Sequence, residues 1–242
     1  MLSLAVRLER SAIGGQGGGV GIGWRIGIAM VAALSLGGAP ERVETLGDWQ
    51  EGIPAEWESQ VFDGETRYSV VRDGEEAFVR AEAEDAASCL YRKIEIDVTR
   101  TPYLRWSWRV HTLPMLEASE RTKPGDDYAV RLYIVREGWL GKWTAKAIDY
   151  VWSSREPVGS RWPNAFASSA IMWSVDQGEE RLGEWVEHTR NVRDDWRVAF
   201  GEDLDRLDGI AIMTDTDNSG SRACADFGSI RFCESPDCRV EE

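Results

Sequence analysis

Six residues between positions 102 and 154 could hold a ligand: Arg105, Arg109, Asp127, Arg131, Tyr133 and Asp149. Guanidinium forks bind carboxylates and sugar hydroxyls bidentately, and a phenol both donates and accepts. These residues fall in three runs, PYLRWSWRV, DDYAVRLYIV and KAIDYVWSS. In the first, Leu104, Trp106, Trp108 and Val110 share one parity, with Tyr103, Arg105, Ser107 and Arg109 on the other. In the second, Val130, Leu132 and Ile134 oppose Arg131 and Tyr133. Period-two alternation belongs to a half-buried strand. If the two arginine strands are neighbours, the arginines, Tyr133, Asp127 and Asp149 meet on one sheet face and could take an acidic or neutral glycan. The competing account is an internal network in which Asp126, Asp127 or Asp149 neutralises the arginines.

A second constellation is Asp215, Asp217, Ser219 and Asp226, with Gly220 between them. Oxygen ligands at loop positions one, three and five, glycine at six and a carboxylate at twelve partly reproduce a calcium loop, which normally ends in a bidentate glutamate. Calcium is therefore the one cofactor these residues suggest. The block Asp-Asn-Ser-Gly equally suits a hairpin turn. Catalytic motifs are missing: there is no Gly-x-Ser-x-Gly elbow, His-Glu-x-x-His helix or phosphate-binding glycine loop. Of the two histidines, His188 is the general-base candidate, with a surface position on its strand as the alternative.

The elements that would position these residues are short strands recurring from Thr66 to Cys233, separated by turn signals such as Arg72-Asp73-Gly74-Glu75 and Lys123-Pro124-Gly125-Asp126. This predicts an all-β fold, a jelly-roll-like antiparallel β-sandwich. One short helix is expected at Asp194 to Phe200, with acids in its first turn and Gly201 stopping it, as a strap across one edge. The polar loop from Leu113 to Asp126 is a candidate rim for the binding face. Twelve tryptophans suit an aromatic inter-sheet core, with Trp106 and Trp108 the clearest core positions. Trp139, Trp143 and Trp162 look least like core and could stack on sugar rings.

Arg7, Arg10 and Arg25 precede an apolar run from Ile26 to Leu36 and then Gly37, Gly38 and Ala39. That order is the pattern of an export signal, and the run is far short of the roughly 20 residues a bilayer span needs. Residues 1–39 are thus expected to be a signal peptide or N-terminal hydrophobic anchor, and residues 40–242 a single domain that is periplasmic or secreted, with no stable membrane span after cleavage. The whole chain carries a net charge of −14. Such a field disfavours nucleic acid and suits a neutral glycan, a cation or a basic ligand. Cys89, Cys224, Cys233 and Cys238 permit two disulfides in an oxidising compartment; a local Cys233–Cys238 pair would leave Cys89 with Cys224.

The succession LRWSWRV, GDDYAVRLYIV, AIDYVWSS, RNVRDDWRVAFGE and GIAIMTDTDNSGSRACADFGSIRF resembles the bacterial domain-of-unknown-function family 3047, in order from about Ser88 to Phe232. The resemblance implies an exported or envelope-associated β-sandwich and no established activity. The leading expectation is an exported, non-catalytic protein that binds a carbohydrate or other cell-envelope component. The rivals are a polysaccharide hydrolase or lyase and a structural, protein-partner module of the envelope.

Overall fold

The computed structural model describes residues 41–138 and 141–239, the side chains at 138 and 141–144 excepted. The expected export signal and Trp139 lie outside the described residues, as does the side chain of Trp143.

Two sheets pack against one another. The six-stranded sheet holds β1 (Val43–Gly47), β3 (Arg67–Asp73), β4 (Glu76–Glu84), β6 (Tyr103–Thr112), β11 (Val186–Asn191) and β13 (Arg222–Cys233). Its order is β11-β6-β13-β4-β3, and β1 also pairs with β13. The seven-stranded sheet holds β2 (Glu58–Asp63), β5 (Ala87–Asp97), β7 (Arg131–Gly138), β8 (Gly141–Ser153), β9 (Arg161–Pro163), β10 (Ala170–Gln177) and β12 (Arg206–Asp215). It is ordered β2-β5-β12-β7-β8-β10-β9.

The alternation read from the sequence decides what lies between the sheets. Leu104, Trp106, Trp108 and Val110 of β6 share one cluster with Leu132 and Ile134 of β7, Ile148, Tyr150 and Trp152 of β8, and Ile210 and Ile212 of β12. Trp106 stacks on Tyr150 with ring centres 5.2 Å apart, joining the two layers. Full burial of each such side chain contributes about 1.5–3 kcal/mol. The opposite parities, carrying the charged and small residues, therefore face outward from each sheet.

The helix is one turn-half longer than its acidic start suggested. It runs as α1 (Val192–Phe200), with the Asn191 side chain accepting from the amides of Arg193 and Asp194, and with Gly201 left-handed at φ 71°. Val192 and Trp196 enter the main core, so α1 plugs the sandwich rather than merely crossing it.

Three features depart from expectation. First, β10 runs parallel to β8 inside an otherwise antiparallel arrangement. After β8 the chain passes to the edge, forms β9, and β10 then inserts between β8 and β9, antiparallel only to the latter. Second, β1, β2 and β9 were not foreseen, being short or lined by exposed polar residues. Third, Cys233 and Cys238 are bridged, but Cys89 and Cys224 are not joined, because β5 and β13 belong to different sheets.

Candidate functional site

The arginine face expected from the sequence does not form as one surface. Arg105 and Arg109 stand on β6 in the six-stranded sheet, whereas Arg131, Tyr133 and Asp149 stand on β7 and β8 in the other. The connection from Leu113 carries the chain from one sheet to the other, so consecutive strands β6 and β7 are not neighbours. Arg105 is held by the Glu187 carboxylate, and its Nη1 donates to the Asp237 carbonyl at 2.8 Å. Arg109 donates to Asp226 through Nε at 2.9 Å and Nη2 at 2.7 Å. Both are engaged in internal pairs on the far side of the molecule from Tyr133.

What the fold does assemble is a row crossing the seven-stranded sheet on its outer face. Register places Glu58, Tyr91, Ala211, Tyr133, Asp149, Met172 and Trp162 side by side, one from each strand. Strands lie about 4.8 Å apart, so six steps make a row of about 29 Å. The outward direction follows from parity: Tyr133, Ala147 and Ala211 cluster separately from the inter-sheet core that holds Leu132, Ile148 and Ile212. Tyr128, in the connection before β7, packs with Val151, Met172 and Trp162 at one end of this face. From Tyr91 to Trp162 the row is shielded from solvent, while Glu58 at its end is exposed.

Two buried polar groups in the row lack hydrogen-bond partners among the described residues. Asp149 is completely buried and neither carboxylate oxygen accepts a bond; the indole N–H of Trp162, 3% exposed, donates none. Leaving a buried carboxylate unsatisfied is costly. Burial pushes the Asp149 carboxyl well above the usual carboxylate range, with Arg131 opposing and Asp126 reinforcing. Trp162, expected to be outside the core, is instead buried beneath Arg121, whose guanidinium carbon lies 5.4 Å from the ring centre.

Beside the row, Arg131 is locked. Its Nε and Nη2 donate to the two Asp215 oxygens at 2.9 and 2.5 Å, Nη2 also reaches the Asp126 carbonyl, and Nη1 donates to the Tyr133 hydroxyl at 3.3 Å. The guanidinium lies 4.3 Å from the centre of the Tyr128 ring. Burial lowers the Arg131 pKa, but Asp126 and Asp215 outweigh it and keep the group cationic. The connection expected to be a rim, Leu113 to Asp126, thus supplies Asp126, and the residues just past it supply Asp127 and Tyr128. It is tied down by Glu120, whose carboxylate accepts from Ser153 Oγ at 2.7 Å and from the amide of Ser154 at 2.9 Å.

The expected metal set is divided. Asp226 sits on β13 in the other sheet, where it accepts from Arg80 Nε at 2.7 Å as well as from Arg109, and lies 2.7 Å from His111 Nε2. Ser219 takes part through its backbone amide, which donates to Asp127 Oδ2 at 2.7 Å. The turn reading of 217–220 therefore holds, with Asp127 anchoring it through Asn218 and Ser219. The fold nonetheless gathers Asp127, Asp215 and Asp217, each offering an oxygen within 4.8 Å of the others, a cluster that could coordinate a metal ion such as calcium. The sequence reading grouped Asp215 and Asp217 with Asp226; the fold instead sets Asp127 beside them, through a contact long-range in sequence.

His188, the general-base candidate, is committed elsewhere. Its Nε2 lies 2.7 Å from Asp176 Oδ2, an oxygen that also accepts the Trp108 indole N–H at 2.7 Å, and its ring stacks on Trp106 at 4.9 Å. It is half-buried, with a structural role, rather than a surface residue.

No curated protein matches the sequence significantly. Among solved structures, the chain is similar to the family 11 carbohydrate-binding module of the cellulosomal cellulase Lic26A-Cel5E of Clostridium thermocellum, with a TM-score of 0.45 and 11% identity over 80% of this chain and 95% of that one. Comparable values hold for the family 30 carbohydrate-binding module of a second Clostridium thermocellum cellulase (0.43; 9% identity; 73% and 90% covered). The endoglucanase cel12A of Rhodothermus marinus gives 0.40 at 12% identity, with 74% and 97% covered. The sequence model described as "Protein of unknown function (DUF3047)" matches residues 55–231, and the chain belongs to that family.

Proposed function

We propose that this protein is an exported, non-catalytic binding module that takes a hydroxyl-rich, extended ligand such as a glycan of the cell envelope along the outer row of the seven-stranded sheet. The observation that carries this reading is Asp149: completely buried, without a hydrogen-bond partner, and flanked in register by Tyr133 and Met172. Sugar hydroxyls satisfy such a carboxyl as donors or acceptors, and a second hydroxyl accepts from the Trp162 N–H. Tyr91, Tyr133 and Trp162 supply aromatic bodies along the same line. Because the row is shielded, binding requires its cover to move.

Calcium is the finer part of the proposal. Asp127 and Asp217 crowd Asp215, which together with Asp126 pairs with Arg131, and a divalent cation at Asp127, Asp215 and Asp217 relieves that crowding.

Affinity electrophoresis of the full chain and of the chain from Glu41 onward, through gels containing neutral and uronic-acid polysaccharides with and without calcium, tests this. One polysaccharide should retard the protein, and Asp149→Ala should abolish the retardation. Uniform mobility across the panel refutes glycan binding and favours a protein-partner role.

A further inference from the structure

The six-stranded sheet contains a fork that the reading above does not use. β13 pairs with β4 as far as Phe227 opposite Val79, and with β1 from Ile230 opposite Gly47. Between these registers, Gly228 and Ser229 have neither strand beside them. Against β6 on the other edge, the same two residues form a bulge, since Phe227 faces Trp108 and Ile230 faces Trp106. The fork opens a cavity of about 630 Å³ on the outer face, a volume in the range of small-molecule sites.

This cavity has a built floor. The Gly228 carbonyl accepts the Trp49 indole N–H at 2.8 Å, which fixes the bulge. A Cβ at Gly228 would stand 2.1 Å from Ser107 Oγ, so any larger residue there forces the Ser107 hydroxyl to move. Phe78 and Trp185 form an aromatic wall, with ring centres 5.3 Å apart and edge to face. Arg109 backs the indole at 4.7 Å from its centre and is itself held by Asp226.

The polar lining is largely uncommitted. Among the described residues, the guanidinium of Arg231, the hydroxyls of Ser107 and Ser229, the Trp185 N–H and the Glu76 carboxylate have no hydrogen-bond or ion-pair partner. This contrasts with Arg80, Arg105, Arg109 and Arg131, each held by a carboxylate. A free guanidinium fork beside neutral donors and an aromatic wall fits a planar carboxylate on a hydroxylated ring. The rim acids Asp48 and Glu76 accept ring hydroxyls but repel ligands of higher negative charge. Glu187 is withdrawn from this balance by Arg105.

We propose that the fork cavity is a second binding site, independent of the Asp149 row, for a sugar ring bearing one carboxylate, a uronic acid. The indole wall receives the ring's C–H face, Arg231 takes the carboxylate, and Ser107 and Ser229 donate to ring oxygens.

The test is a titration of the full chain with glucuronate, galacturonate, glucose, galactose and inorganic phosphate, followed by the indole N–H resonance of Trp185 in ¹⁵N-labelled protein. Trp185→Phe assigns that resonance. A uronate should shift it saturably while glucose, galactose and phosphate do not, and Arg231→Met should weaken uronate binding roughly tenfold to a hundredfold. Arg231 is only half-buried, so this variant should keep the wild-type circular dichroism and melting temperature. Asp149→Asn should leave the uronate titration unchanged, which separates this site from the first. Equal binding of glucose and glucuronate, unchanged affinity in Arg231→Met, loss of uronate binding in Asp149→Asn, or no shift with any probe would each overturn the proposal.

Discussion

Each outer face of the sandwich buries an aspartate completely, and the two are treated in opposite ways. Asp226, on the six-stranded sheet, is held by Arg80, Arg109 and His111. Asp149, on the seven-stranded sheet, has no hydrogen-bond partner among the described residues. Burial opposes ionisation at both. At Asp226, hydrogen bonds from Arg80, His111 and Arg109 outweigh it and keep the carboxyl below its usual range, whereas at Asp149 burial wins and the pKa rises. The contrast separates a carboxylate that serves the fold from one the fold leaves unsatisfied, and the second kind is where a ligand has something to complete.

The largest effect should come from the one cation beside Asp149. Arg131→Met removes the guanidinium that pairs with the buried Asp126 and Asp215, and urea denaturation should show a loss of about 4 kcal/mol. Saturating calcium should recover part of this if Asp127, Asp215 and Asp217 hold it. Next, Asp226→Ala strands two arginines on the other face and should cost about 3 kcal/mol. In the wild type, the stabilisation from Asp226 is complete at pH values above the ordinary aspartate range. It is lost as the pH falls below that range, through the depressed folded-state pKa. Gly228→Ala, which forces a Cβ onto Ser107 Oγ, should cost about 2 kcal/mol. Ser107→Ala should relieve most of that loss, since the remaining contacts are 3.3 and 3.4 Å.

The smallest effect has the opposite sign. Asp149→Leu should stabilise the protein by about 1 kcal/mol while abolishing polysaccharide retardation. Here the folded-state pKa is raised, so the wild type loses stability as pH rises from the ordinary aspartate value towards the raised one. Asp149→Asn should make that downward slope shallower, leaving the part due to Asp215, when urea midpoints are compared from about pH 4 to about pH 8. A destabilised Asp149→Leu, or an unchanged slope in Asp149→Asn, would make the two aspartates equivalent and dissolve the comparison.

Parity was legible in the sequence, and sheet membership was not. Alternation in PYLRWSWRV and DDYAVRLYIV correctly separates Trp106, Trp108, Leu132 and Ile134 from Arg105, Arg109, Arg131 and Tyr133, because period two is a local property of a strand. Both outer faces carry the same signature, however, so nothing local distinguishes Arg109 from Arg131. Whether β7 pairs with β6 or with β12 is decided by contacts remote in sequence, including the bond between Arg131 and Asp215. Tyr91 and Trp162 joined the row unannounced for the same reason. The adjacent Asp126 and Asp127, followed after three residues by an arginine, were the one available hint that this connection carries site residues inward.

The pairing of β1 with β13 sets Val43 beside Cys233, and the Glu41 carboxylate receives the amides of Ser235 and Arg239. The described chain thus enters and leaves at one corner, with the Cys233–Cys238 bridge closing the exit. Mechanically, the described residues form a flag on a single pole: tension applied at Glu41 or at Arg239 would pull on the same point. Both broad faces would then stay free to swing towards a surface, and the whole unit could be spliced into a loop of another protein with little distortion of its host.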